Sequence, residues 1–395
     1  MKILTLSTVY PSPSKPSFGT FVRARLQHVG ETASVRVLAP VPLLDYRLHE
    51  THFRPSGPGM CRDENLTVYQ PRWLHIPGGG FLNGCLLFLQ TLRIALRLDR
   101  EARVDLIDSH FGHPDGIAAA LLARTLRRPL TVTLRGNETL HGSLRFRRMA
   151  MAWALRRAAA VITVSEALRR YAISLGVAPE RTKTIPNGVD VSIFHRGQSH
   201  PAVRRLVALS AGFLIERKGY DRLIRAIAAL RARGIECELE IAGGPSGEPA
   251  YEAELHRLVA ELRLEKAVRF LGAVTPFRLA ELMSQAGVFC LASSREGWPN
   301  VVHEALACGA PVVATDIGGV PEMIPSPEYG LVVPAGDQAS LEQALERALR
   351  TEWDRDVIAR WGQSRSWQNV SAEVLELFDH IVRESRTRAC EPSLD

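Results

Sequence analysis

Strand-like and helix-like runs alternate along nearly the whole of this 395-residue chain. KILTLSTVY near the start and GVFCLASS in the second half are typical of buried strands, and each is followed by a loop and a helical run. Because parallel strands need a crossover between them, this order predicts parallel sheets covered by helices, an α/β fold. A chain of this length exceeds one ordinary core, so we expect two domains.

The composition and net charge of the chain limit the kinds of molecule that it is expected to bind. Hydrophobic residues make up 46% and charged residues 23% of the chain, which is typical of a globular enzyme. The net charge of +7 indicates anionic partners such as phosphorylated ligands or an acidic membrane surface. We expect no nucleic acid partner, because no nucleic-acid motif or interleaved aromatic pattern accompanies the charge.

The cysteines and the apolar runs indicate the cellular compartment in which the protein works. The 6 cysteines are scattered and form no C-x-x-C pair, which indicates reduced thiols and neither disulfides nor a zinc site. No run is long and apolar enough to span a bilayer. We therefore expect a cytoplasmic protein, with membrane association on the cytoplasmic face as an open alternative.

The most informative stretch is SSREGWPNVVHEALACGAP, residues 293–311. A polar loop with Glu296 leads into a short helix, with Pro299 expected at its first position and Glu304 inside it. Backbone N–H groups at such a helix start, next to Gly297, suit the oxygens of a diphosphate. A carboxylate can accept hydrogen bonds from two neighbouring sugar hydroxyls. Together these features predict a nucleotide-sugar site.

The longer run EGWPNVVHEALACGAPVVATDIGGVPEMI closely resembles the donor-site signature of the retaining glycosyltransferases of family 4, also described as glycosyl transferases group 1. The resemblance implies the GT-B fold, two Rossmann-like domains facing each other across a cleft, with a C-terminal helix crossing back to the first. We expect the acceptor-side domain at 1–195 plus a helix at about 372–390, and the nucleotide-sugar domain at 196–371. HRGQSHPAVRR, residues 195–205, is the expected linker.

The resemblance also implies donor contacts in the second domain. Glu296 and the amides of the residues after it would hold the donor sugar and phosphate, and Glu304 would hold the ribose. Lys218, helped by Arg217, would meet the charge of the leaving diphosphate. Phe213 departs from the family, which has an arginine there. The expected donor residues are Arg217, Lys218, Glu296, Gly297, Trp298, Pro299, Asn300, Glu304, Gly318 and Gly319.

In the first domain the resemblance singles out a glycine loop and a histidine. Gly19 matches the family's flexible loop near donor phosphate and acceptor, although Phe18 replaces the first of the usual paired glycines. His110, at the carboxyl end of the strand VDLIDSH, is expected to hydrogen-bond near the reacting centre. His113 is the alternative. His110, Lys218 and Glu296 are the expected catalytic residues.

The function implied is transfer of a sugar, with retained anomeric configuration, from a nucleotide-diphosphate donor to a hydroxyl. The acceptor would be a cell-surface polysaccharide or a lipid-linked glycan. The helical run CLLFLQTLRIALRLDREAR has one apolar side with arginines along the other, which fits core packing or peripheral contact with an anionic membrane, and LRFRRMAMAWALRR is a basic amphipathic helix. We expect no cofactor and no metal, because no His/Cys cluster suited to metal ligation is present. A sugar-nucleotide epimerase of the same fold and a non-catalytic binding protein are the alternatives.

Overall fold

The computed structural model describes residues 1–12, 15–43, 59–76, 79–196, 204–244 and 249–390. The chain forms two compact units, one of Met1–Gly188 with Trp367–Asp395 and the other of Val189–Ser366. The changes of unit thus fall after Gly188 and Ser366, where the sequence predicted 195 and 371. The first change of unit comes earlier in the chain than predicted, because Val189 and Phe194 are buried in the core of the second unit. The expected linker includes residues 197–203, which lie outside the described ranges.

The first unit is built from short strands and helices in βα alternation. Its strands are β1 (Lys2–Leu6), β2 (Ser34–Leu38), β3 (Val41–Pro42), β4 (Met60–Asp63), β5 (Leu66–Tyr69), β6 (Arg72–Trp73), β7 (Leu106–His110), β8 (Leu130–Leu134), β9 (Ala160–Thr163) and β10 (Thr182–Thr184). Its helices before residue 188 are α1 (Thr20–Gly30), α2 (Leu82–Glu101), α3 (Asp115–Leu126), α4 (Glu138–His141), α5 (Arg145–Arg157) and α6 (Glu166–Ser174), with a 3₁₀ turn at Pro179–Arg181.

Within the described residues, the main sheet of this unit has eight strands in the order β10-β9-β8-β7-β1-β2-β5-β4. All neighbours are parallel except β4 and β5, and β3 pairs with β6 separately. The strand order reverses between β1 and β7. Loops that follow these two strands therefore meet at one edge of the sheet.

The second unit repeats the pattern. Its strands are β11 (Arg204–Ala211), β12 (Glu238–Ala242), β13 (Val268–Gly272), β14 (Ala286–Leu291), β15 (Val312–Thr315) and β16 (Gly330–Val333). Its helices are α7 (Tyr220–Ala232), α8 (Pro249–Glu261), α9 (Pro276–Gln285), α10 (Asn300–Ala307), α11 (Val320–Met323), α12 (Gln338–Arg350) and α13 (Arg355–Gln363), with a 3₁₀ turn at Glu216–Lys218.

The six strands of the second unit are parallel, in the order β13-β12-β11-β14-β15-β16. Counted from β11, this is the 3-2-1-4-5-6 order of a Rossmann sheet. Every residue of β14, AGVFCL, is buried, as expected for a central strand with helices on both faces. The α/β class and the Rossmann-like character predicted from the sequence are confirmed.

The last helix, α14 (Trp367–Cys390), belongs to the first unit and packs against α1. Trp367, Val374 and Phe378 are buried in the same core as Val22 and Leu26 of α1. The helix therefore crosses back as predicted, although it begins at Trp367 and not near 372. None of the helices in the described part of the chain has the length and hydrophobicity needed to span a bilayer.

Candidate functional site

The strand order of the second unit reverses between β11 and β14, because the chain proceeds from β11 towards β12 and from β14 towards β15. Ligands of open parallel sheets bind at the carboxyl ends of the strands at such a reversal. Residues 212–219 follow β11 and residues 292–299 follow β14. These two loops carry six of the ten residues that the sequence predicted for a donor site, and the other four lie in α10 and in the turn before α11.

Three side chains converge on Glu296 at this edge. Lys218 Nζ lies 2.7 Å from Glu296 Oε1, and Arg217 Nη1 lies 3.1 Å from Oε2. Ser293 Oγ also donates to Glu296 Oε1, at 2.9 Å. We call these four residues the Lys218–Glu296 cluster.

The cluster holds two cations against one carboxylate. Burial opposes the ionisation of Glu296, but the charges of Lys218 and Arg217 keep its pKa below the ordinary value. The cluster is therefore net positive, which suits a phosphate-bearing ligand. Lys218 is 12% exposed and Arg217 35%, so the lysine is the more tightly held of the two charges.

Glu304 lies one helix turn inside α10 and is half-buried. Burial of its carboxyl raises the pKa to about 7, although the charge of Lys218 acts in the opposite direction. Its ionisation therefore changes near neutral pH, unlike that of Glu296. When it is ionised, this group can accept hydrogen bonds through both oxygens, whereas in the protonated form one oxygen becomes a donor.

The start of α10 differs in detail from the prediction. The helix begins at Asn300, and Pro299 is the residue before it, in an extended conformation with ψ 96°. Pro299 is thus the N-cap position and not the first helical residue. The helix ends before Gly309, whose φ of +76° is left-handed.

The Gly318–Gly319 turn packs tightly under the loop that follows β14. Gly318 has a φ of +54°, and a Cβ there would lie 2.3 Å from the carbonyl oxygen of Glu296. Gly319 N–H donates to Gly297 O at 2.9 Å, and a Cβ on Gly319 would lie 2.3 Å from the ring of Trp298. Both glycines therefore fix the position of the 296–298 backbone, and the Trp298 ring packs on the turn.

In the first unit, His110 is the last residue of β7 and is fully buried. Its Nδ1 accepts from Arg135 Nη2 at 2.9 Å, and its Nε2 lies 3.3 Å from Asp108 Oδ2. Burial and the charge of Arg135 lower the pKa of His110 to about 3, so the ring is neutral. His110 has no exposed surface and holds Arg135 and Asp108, and its hydrogen bond near the reacting centre stays a prediction.

A cavity of about 280 Å³ lies at the carboxyl edge of the first sheet, among the loops that follow β1, β2 and β7. His113 lines it, together with Phe18 and His141, and the rings of the two histidines are 5.2 Å apart. We call it the His113 cavity. Gly19, the residue after Phe18, has a φ of +76°, and a Cβ on it would lie 2.5 Å from Val9 O.

Comparison with solved structures places both units in one fold family. The Anabaena HepE structure with UDP and glucose has a TM-score of 0.72 at 22% identity, over 96% of this chain and 99% of that one. Sucrose-phosphate synthase from Thermosynechococcus elongatus gives 0.72 at 20% identity, over 97% and 99%. At these identities the likeness establishes the fold, which is GT-B.

Two family profiles match the sequence itself. "Glycosyl transferases group 1" matches residues 192–365, and "Glycosyltransferase Family 4" matches residues 44–193. The chain belongs to the group 1 glycosyltransferases. The predicted family is thereby confirmed.

Named relatives fall in the same family. A putative teichuronic acid biosynthesis glycosyltransferase, TuaC of Bacillus subtilis, is 27% identical over 90% of this chain and 92% of its own length. A D-inositol 3-phosphate glycosyltransferase of Acidothermus cellulolyticus is 34% identical over 54% of this chain and 51% of its own. The chain thus spans about half the length of several relatives that it matches.

The predicted donor residues of this glycosyltransferase lie together in its second unit, around the Lys218–Glu296 cluster. Phe213, the departure from the family, is 47% exposed and is not packed into the sheet. Sequence reasoning missed Ser293, whose signal was its place two residues after the end of β14 and three residues before Glu296. It also missed Trp73 and Arg147 at the His113 cavity; Arg147 lies in the basic helix, but nothing in the pattern aimed it at a cavity.

Proposed function

We propose that this glycosyltransferase moves a sugar, with retention of anomeric configuration, from a nucleotide-diphosphate donor to a hydroxyl of an acceptor. The observation that supports this most is the Lys218–Glu296 cluster at the strand reversal of the second unit, since it offers net positive charge where Rossmann sheets bind ligands. HepE has been solved with UDP-glucose, so UDP-sugars are the first donors to test.

The roles follow from charge and position. Lys218 and Arg217 stabilise the diphosphate as the bond to the sugar breaks and negative charge develops on the leaving oxygen. Glu296 keeps both cations in place and accepts from donor-sugar hydroxyls, while Glu304 accepts from the ribose. Among the described residues no group of three or more His, Cys, Asp or Glu side chains is arranged to hold a metal. We propose that the reaction uses no metal and no cofactor.

Turnover of a panel of nucleotide sugars in EDTA tests the proposal. We expect free nucleoside diphosphate to be released at the same rate with and without EDTA, and only when an acceptor is present. Activity lost in EDTA and restored by Mn²⁺ or Mg²⁺ would contradict metal independence. Conversion of the donor to an isomer without an acceptor would instead favour the sugar-nucleotide epimerase.

Glu304→Gln is expected to weaken binding of a UDP-sugar by ~1–3 kcal/mol at pH 8, because a charged hydrogen-bond acceptor is lost. For the unsubstituted protein we expect affinity to rise about tenfold from pH 6 to pH 8, since the pKa of Glu304 is about 7 and only the ionised form accepts from both hydroxyls. Calorimetry with the intact nucleotide sugar, a diphosphate diester that does not titrate here, measures both. A pH dependence retained in Glu304→Gln would assign it to another group.

We further propose that the acceptor is a lipid-linked or cell-surface glycan reached at the cytoplasmic face of an anionic membrane. The supporting surface lies around α4 and α5, where Leu144, Phe146 and Met149 are 52%, 71% and 58% exposed. Arg145 and Arg148 are exposed beside them. Apolar side chains among arginines suit the boundary between anionic headgroups and acyl chains.

The double variant Phe146→Ser/Met149→Ser is expected to lose most of its binding to vesicles containing phosphatidylglycerol, because two inserting side chains are removed. Co-sedimentation measures the bound fraction. Phe277→Ser is the matched control, since Phe277 is 66% exposed on α9 of the second unit. Equal binding to neutral phosphatidylcholine vesicles, or unchanged binding of the double variant, would count against membrane contact.

A further inference from the structure

A larger cavity of the first unit lies at the amino edge of its sheet, away from the loops that follow β1 and β7. Its volume is about 910 Å³, within the range of small-molecule sites. The segments that enter β8, β9 and β10, the end of α3 and part of α14 surround it. The five residues of β8 span about 16 Å between the two edges. A small ligand in this amino-edge cavity would therefore not reach the carboxyl edge.

Arginines provide most of the charge around the amino-edge cavity. Five of them line it, namely Arg124, Arg127, Arg128, Arg157 and Arg181. In the described part of the chain, only Arg128 among these five has a carboxylate partner, with its Nη2 lying 3.2 Å from Asp99 Oδ1. The lining carboxylates are Glu180 and Glu384, and Glu384 lies 3.1 Å from His380. The lining is therefore net positive, which suits an anionic ligand.

The remaining lining residues limit the kind of anion. Small side chains leave the space open, since five of the lining residues are alanines, at 120, 123, 158, 159 and 160. No phenylalanine, tyrosine or tryptophan lines the cavity within the described ranges, so it offers no such ring on which a base could stack. These features favour a compact anion over a nucleoside.

Arg181 is held in place at the cavity before any ligand binds. Its Nη1 donates to Arg156 O at 3.1 Å and to Ala158 O at 3.4 Å. These carbonyls belong to the end of α5 and to the residue after it, so the guanidinium is fixed beside Arg157. A guanidinium has five N–H donors, and the others on Arg181 remain for a ligand.

Arg127 stands where a helix usually ends in glycine. It follows the last residue of α3 with φ and ψ of +53°, a left-handed conformation. An arginine in this conformation costs stability relative to glycine. Arg127 is also exposed. Its charge can therefore be removed by a substitution that relieves the backbone.

We propose that the amino-edge cavity binds a ligand with two or more phosphoryl groups, with Arg127, Arg157 and Arg181 donating to their oxygens. The planar fork of arginine matches phosphate oxygens. Each phosphoryl group carries roughly one and a half to two negative charges at pH 7, so two of them suit this lining better than one carboxylate. A soluble oligophosphate and a lipid headgroup share this chemistry. The proposal does not rest on the proposed function.

Calorimetry with inorganic diphosphate, inorganic phosphate and citrate at equal ionic strength tests the proposal on the full-length protein. We expect diphosphate to bind most tightly of the three. Arg157→Gln should weaken diphosphate binding at least about tenfold, because charged hydrogen bonds are lost. Arg156→Gln is the matched control, since Arg156 is the preceding residue of α5 and is also exposed, but does not line the cavity. It should bind diphosphate as the unsubstituted protein does.

Arg127→Gly separates lost binding from lost stability. We expect its melting temperature without ligand to equal or exceed that of the unsubstituted protein, because glycine adopts the left-handed conformation without strain. Its diphosphate binding should nevertheless be weaker. A large loss of stability in this variant with unchanged diphosphate binding would remove Arg127 from the site and contradict the proposal.

Vesicles containing cardiolipin, a lipid with two phosphates, distinguish the two sources of the ligand. If Arg157→Gln sediments less with these vesicles than Arg156→Gln does, the phosphoryl groups belong to a headgroup. Equal sedimentation, with diphosphate binding still weakened in Arg157→Gln, assigns the cavity to a soluble oligophosphate. Both results support binding of phosphoryl groups at this cavity.

Four results would overturn the proposal. They are no binding of diphosphate, citrate binding more tightly than diphosphate, equal losses in Arg156→Gln and Arg157→Gln, or diphosphate binding that disappears in Lys218→Ala and persists in Arg157→Gln. The last of these would place the diphosphate at the Lys218–Glu296 cluster. None of the four measures turnover of a nucleotide sugar, so the proposed function stands or fails separately.

Discussion

Lys218→Ala is expected to lower kcat by about 10²-fold or more, in line with the loss of one preorganised electrostatic group. Lys218 is held 2.7 Å from Glu296 and is only 12% exposed, so its charge is already in place before a donor binds. A compact ammonium can approach one phosphate oxygen closely. Steady-state kinetics with a saturating acceptor measure the effect.

Two companion variants show whether the effect belongs to Lys218. Lys266→Ala removes an exposed lysine of the same unit and should leave kcat unchanged. Arg217→Ala should have a smaller effect, because Arg217 is more exposed and also donates to Arg295 O at 2.8 Å. Near-normal kcat in Lys218→Ala together with a large loss in Arg217→Ala would reverse the two roles. Phe213→Arg, at an exposed position, is expected to tighten diphosphate binding.

Gly318→Ala is expected to reduce kcat/KM by about 10²-fold, because a displacement of about 1 Å in positioning groups has effects of this size. The new Cβ would lie 2.3 Å from Glu296 O and 2.8 Å from Gly297 O. These carbonyls belong to the loop that carries the donor-site glutamate, so either the loop or the turn must move. Kinetics and a melting curve of the variant measure activity and stability together.

Gly272→Ala is the matched control for backbone strain. Gly272 has a φ of +65°, close to that of Gly318, but no atom lies within 4 Å of its added Cβ. The left-handed conformation should therefore cost each variant about 1–2 kcal/mol of stability. Gly318→Ala should lose further stability through its clash, and only Gly318→Ala should lose activity. Equal activity losses would show that the clash with the 296–297 backbone has no functional consequence.

The fold was predictable because it depends on patterns that are local in sequence. Continuous apolar runs such as 286–291 mark buried parallel strands, and the helical runs between them enforce crossovers. The unit boundaries were less predictable. Val189 and Phe194 follow a turn dipeptide and precede a polar stretch, and only their burial in the second core assigns them to that unit.

The sequence predicted which residues form the site better than it predicted how they are arranged. The sequence brought Lys218 and Glu296 to one edge, yet their ion pair joins residues 78 positions apart, and no local pattern encodes it. His110 was predicted to meet a ligand because it ends a parallel strand. Its burial follows from Arg135, Asp108 and Arg25, a buried charged group assembled from three separate segments.

The position of α14 has a consequence for how the protein is made. The second unit is one continuous segment, Val189–Ser366, whereas the first is completed only by residues from Trp367 onward. During synthesis, the whole of the second unit emerges from the ribosome before the helix that covers Val22 and Leu26 exists. The first unit to be translated is therefore the last to be closed, and a chain interrupted before Trp367 leaves that apolar surface open to water and to chaperones.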